Sequence, residues 1–139
     1  MITPHPHQSE FIDNIRAEMP KHRIITAQLS TGGGKSVVAS AMIKAAMDKG
    51  NTCAFIVPRV DLLTQMSATF DKFGITHSFI ASGKSSNPYV KAHICSAGTL
   101  VNRLHNPCAL VEVVAYYLIR NTARDMRLIN KHHLWRYLV

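Results

Sequence analysis

Residues 30–36 read Ser-Thr-Gly-Gly-Gly-Lys-Ser, and no other stretch constrains the fold so tightly. The three glycines follow a short apolar run containing Ile24 and Ile25. They precede a segment with Val38, Ala41, Met42 and Ala45 at helical spacing. In a strand, glycine turn and helix taken in that order, the turn's backbone amides converge on an anion, and the helix dipole points its positive end at the same place. Lys35 adds an ammonium for the terminal phosphates of a nucleotide, and Ser36 a hydroxyl for magnesium. The spacing therefore predicts a phosphate-binding loop made of Thr31, Gly32, Gly33, Gly34, Lys35 and Ser36 that holds ATP with Mg2+. The general phosphate-loop pattern asks for glycine at the position held by Leu29, so the strict form is missed by one residue.

The rest of the pattern alternates strands and helices. Phe11, Ile12, Ile15 and Met19 recur at helical spacing between two prolines, which predicts a helix over 6–19. Strands are expected at 23–29, 52–57, 75–80 and 92–97, and helices at 35–49, 61–73 and 99–104, with a polar loop over 82–87. Residues 109–118 fit either a buried strand or the start of a helix, and 121–138 read as helical. Such alternation implies an α/β domain whose mostly parallel sheet is covered by helices on both faces.

The chain's 139 residues fit one domain, and its 47% hydrophobic and 17% charged content is that of an ordinary globular protein. Sixteen Lys and Arg against eight Asp and Glu favour a polyanionic partner such as nucleic acid. The first 100 residues carry ten basic and six acidic side chains and the last 39 carry six and two, so the tail is the more basic part. Cys53, Cys95 and Cys108 lack CxxC spacing and suggest neither a disulfide framework nor a zinc ribbon, which fits a reducing cytoplasm. The longest apolar stretch, 108–119, contains Glu112 and is too short to span a bilayer. His132 and His133 lack a suitably spaced partner ligand for a metal.

Thr31 to Ser36 resemble motif I of superfamily-two helicases and translocases, which tolerate variation at the first position. The stretch Phe-Ile-Val-Pro-Arg-Val-Asp-Leu-Leu-Thr-Gln over 55–65 resembles their motif Ia. Gln8, 27 positions before Lys35, resembles the upstream glutamine of the family, and Thr99, Leu100 and Arg103 resemble its threonine-leucine motif. The sub-pattern is most similar to the motors of type I and type III restriction enzymes and related DEAD/DEAH-type helicases. The resemblance implies a RecA-like P-loop domain in which Gln8 faces adenine and Pro58, Arg59, Thr99 and Arg103 line the path of a nucleic-acid strand, DNA rather than RNA. Other helicase or restriction subunits are implied as partners.

These matches cover residues 1–104, the expected ATP-binding part, and leave 105–139 as an unassigned basic tail. Hydrolysis also needs a carboxylate for magnesium and a positioned water. The family supplies them through Asp-Glu-Ala-Asp or Asp-Glu-Ala-His, yet this chain has no Asp-Glu dipeptide, and beyond Arg103 its only acids are Glu112 and Asp125. The expectation is an incomplete motor, the N-terminal portion of a helicase shortened by a stop codon or frameshift. Its competitors are a non-hydrolytic nucleotide-binding interaction module and a different P-loop phosphotransferase.

Overall fold

The computed structural model describes residues 3–22, 25–104 and 113–117. Helix α1, Pro6–Glu18, starts with proline at a position where no backbone donor is needed, and it buries Ile12 and Ile15. Helix α2, Lys35–Asp48, buries Val38, Ala39, Met42 and Ile43. Gly50, at φ +89°, then turns the chain into strand β1, Thr52–Val57. Pro58 has no amide to continue a ladder, and α3, Asp61–Lys72, follows with Leu63, Met66 and Phe70 on its inner face. Strand β2, His77–Ile80, strand β3, Ala92–Ser96, helix α4, Ala97–Leu104, and strand β4, Val113–Tyr117, complete the order.

The four strands form one parallel sheet in the order β2-β3-β1-β4. Alternation along β1 and β3 sends Cys53, Phe55, Val57, Ala92 and Ile94 into one core with α1, α2 and α3. Ala54, Ile56, His93 and Cys95 face the other way and are buried too, as a parallel sheet requires.

One expected strand is corrected. Residues 25–30 form no ladder, although their exposure alternates as a strand's would: Ile25, Ala27 and Leu29 pack against the core while Thr26, Gln28 and Ser30 are exposed. Both sides of β1 are taken by β3 and β4, and among the described residues this segment pairs with no strand. The ambiguous stretch 109–118 contributes a strand at 113–117. The helix expected over 121–138 lies outside the described residues.

Between α3 and β2, His77 uses both ring nitrogens. Nε2 is 2.8 Å from Ser67 Oγ and Nδ1 is 2.9 Å from the Ile75 carbonyl, while Phe70 and Phe79 meet the ring edge-on. Phe70 is fully buried and also packs edge-on against Phe55. Phe70→Ala should therefore lower unfolding free energy by about 3–5 kcal/mol, read from urea denaturation midpoints.

His93 is buried, and among the described residues its Nδ1 has no hydrogen-bond partner. Burial holds its pKa below the usual 6.5, opposed by a hydrogen bond to the Val90 backbone. The unfolded chain thus takes up a proton more readily than the folded one, and stability should fall as pH drops below about 6.5. Urea midpoints at pH 7.5 and 5.5 should show this loss for the wild type and a smaller one for His93→Gln.

Candidate functional site

The loop between the extended segment and α2 is built by its glycines. Gly32 and Gly34 lie at φ +84° and +79°, left-handed conformations that cost other residues about 1–2 kcal/mol each. The Gly33 amide donates to the Ser30 carbonyl at 3.0 Å and closes the turn. A Cβ on Gly33 would come 2.8 Å from Leu29 Cγ. Leu29 therefore packs beneath the loop at the position where the general pattern has glycine.

Gly34 is the N-cap of α2 and offers no side-chain acceptor, so the first-turn amides remain open to an outside anion. Lys35, half-buried, lays its Nζ 2.8 Å from the Ser30 carbonyl and spans the loop. Ser36 is half-buried in the same turn, and its carbonyl accepts a 2.8 Å hydrogen bond from Ser40 Oγ. A cavity of about 490 Å³ opens beside Thr31, Gly32, Gly34, Lys35 and Ser36. Its opposite wall is Phe55, Val57 and Pro58 from the end of β1, with Leu62, Gln65 and Met66 from α3.

Gln8 reaches this loop from α1. Its Nε2 donates to the Gly33 carbonyl at 3.0 Å, and its Oε1 accepts from the His5 amide at 2.9 Å. A Cβ on Gly34 would collide with Gln8 Nε2.

Pro58, Arg59 and Thr99 lie at the same end of the sheet, after the carboxyl ends of β1 and β3, where open parallel sheets hold their ligands. Arg59 is exposed and its Nε is 3.1 Å from Asp61 Oδ1. Thr99 Oγ1 accepts from the Ser82 amide at 3.1 Å and from Ser96 Oγ at 2.9 Å, while the Thr99 amide donates to Ser96 Oγ at 3.3 Å. Arg103 stands in the last turn of α4, and its side chain lies outside the described residues.

Sequence reading missed two features here. Ser96 caps α4 by accepting from the Thr99 amide, a role that a serine just before a helix start signals. The turn at Ser82, Gly83 and Lys84 is tied to Thr99, with Lys84 Nζ 5.5 Å from the centre of the Phe79 ring; no local pattern announces so distant a contact.

Acidic residues are missing from the cavity's described lining. Glu112 lies outside the described residues. His132, His133 and Asp125 also lie outside. Among the described residues no group of three His, Cys, Asp or Glu is placed to hold a metal, and no helix is long and apolar enough to cross a membrane.

The glycines can be separated by substitution. Gly50→Ala meets open space and should cost about 1–2 kcal/mol from its positive φ alone. Gly34→Ala adds a clash with Gln8 and should lower the melting temperature further, measured by circular dichroism.

The fold is shared with the UvsW helicase from bacteriophage T4. One structure of it aligns with a TM-score of 0.71 at 17% identity over 99% of this chain and 52% of its own. A second aligns at 0.72 and 16% identity, over 99% of this chain and 30% of its own. The chain thus spans about half, or less, of the helicase structures it resembles. No curated protein matches it. The model of the family described as "Type III restriction enzyme, res subunit" matches residues 1–126, past the last motif at Arg103, and the chain accordingly belongs to that family, a superfamily-two helicase type with a RecA-like fold.

Proposed function

We propose that this chain is the nucleotide-binding part of a superfamily-two DNA helicase or translocase, which holds ATP with Mg2+ at Thr31, Gly32, Gly33, Gly34, Lys35 and Ser36. The observation that carries the reading is the anion cradle: two left-handed glycines, an uncapped helix N-terminus and a lysine ammonium converge on one cavity. On this reading the phosphates lie against the loop amides, and Lys35 leaves the Ser30 carbonyl to meet them. Ser36 supplies a hydroxyl ligand to magnesium, whose charge offsets that of the phosphates. Pro58, Arg59, Thr99 and Arg103 face a DNA strand laid across the carboxyl ends of β1 and β3, and the positive charge of the chain favours that partner. Other helicase or restriction subunits are its expected partners.

A second reading, a module that binds nucleotide without hydrolysing it, is favoured by the cavity lining, which brings no carboxylate to magnesium among the described residues. One experiment addresses both: nucleotide binding and ATP turnover with magnesium, with and without DNA. Lys35→Ala should weaken ATP binding by about tenfold or more, the scale of one charge-assisted contact to phosphate. DNA-stimulated turnover lost in that variant would identify an acting motor, Lys35-dependent binding without turnover would identify the module, and binding indifferent to Lys35 would overturn the site.

A further inference from the structure

We infer that the site selects the phosphate chain and is indifferent to the base, with Gln8 serving as a positioning residue that shapes the loop; the inference rests on the phosphate-binding reading above. A glutamine that recognises adenine must offer the base a donor and an acceptor together. Gln8 has turned both inward. Its oxygen holds the His5 amide at the start of α1, and its nitrogen holds the Gly33 carbonyl at the loop's apex. Its side chain is 4% exposed, so no base edge reaches it from solvent.

Freeing the amide for a base would uncap α1 and leave the Gly33 carbonyl without that donor. Both losses would loosen the turn that puts Gly34 at its left-handed φ against Gln8 Nε2. The open space beside the loop points the same way. Its described lining comes from the loop, β1 and α3, and includes no residue of α1. A bound nucleotide therefore meets the protein through its phosphates, a chemistry common to every nucleoside triphosphate and to inorganic tripolyphosphate.

The test is competition binding against a fluorescent ATP analogue by ATP, GTP, CTP, UTP and tripolyphosphate, on the wild type, Gln8→Glu and Gln8→Ala. The four nucleotides should agree within about threefold, because a bidentate base contact would separate them by about tenfold or more. Tripolyphosphate should compete as well. Gln8→Glu keeps an acceptor for the His5 amide but cannot donate to Gly33, so, at a temperature where circular dichroism shows the variant folded, it should weaken all five competitors by a common factor. Gln8→Ala should weaken them at least as much, again without changing their order. An ATP preference of tenfold in the wild type that disappears in either variant would overturn the inference and leave phosphate binding intact. Failure of the protein to bind any of the five would overturn phosphate binding itself.

Discussion

Strand β1 is hydrogen-bonded on both sides and buried on both faces, and the rest of the architecture follows from that enclosure. A strand so placed has every ladder group satisfied and exposes no polar chemistry along its length. Function is pushed to its ends. Because all the strands run in parallel, their carboxyl ends share one edge, and the loops leaving β1, β2 and β3 meet there. The glycine loop reaches that edge from a different direction, since its preceding segment lies against the core and not in the sheet. The cavity is where the two routes converge, with the end of β1 forming one wall and the loop the other.

Most of the fold was legible because each element carries a local signal. Helices α1, α2 and α3 have apolar residues at helical spacing and are followed closely by Pro20, Gly50 and Gly74, while Pro58 follows β1. The segment at 25–30 misled because its alternation is that of a strand, and periodicity reports only which side chains turn inward. Whether a strand pairs depends on which neighbours reach its edges, and these come from distant residues. The glycine loop was legible for the same local reason: positive φ, close backbone approach and a following helix are written in adjacent residues. Gln8 shows the limit. Its resemblance to the family's upstream glutamine implied a residue facing adenine, whereas the partners that its amide takes, His5 and Gly33, depend on how α1 packs.

The site divides into two halves of unequal completeness. The glycine loop is assembled from residues within a span of seven, and from outside that span the Gln8 amide holds its Gly33 carbonyl. On the proposed reading, magnesium would also need a carboxylate brought by another strand to the same edge. Strand β4 lies next to β1 as such a strand should, yet its register puts Val113 opposite Thr52 and Tyr116 and Tyr117 opposite Phe55 and Ile56. The described residues of β4 therefore bring no carboxylate to the loop's end of the sheet.

The proposed DNA-facing residues differ in how free they are to bind. Among the described residues Arg59 is paired with Asp61, and both side chains are largely in water, at 75% and 60% exposure. Such a pair contributes about 0–1 kcal/mol, so a phosphate replaces Asp61 at little cost. Thr99 is different. Its hydroxyl oxygen accepts from Ser82 and Ser96, and its amide is held by the Ser96 cap, so it fixes the turn after β2 against the start of α4. That turn carries Lys84, held over the Phe79 ring by a contact weak enough to exchange for a phosphate. Arg59 and Lys84 thus supply the exchangeable positive charge along this edge, and Thr99 sets the turn that positions one of them. If a strand is laid across this edge as proposed, a Thr99 substitution acts on it through the placement of Lys84, and its effect is largest where Lys84 is intact.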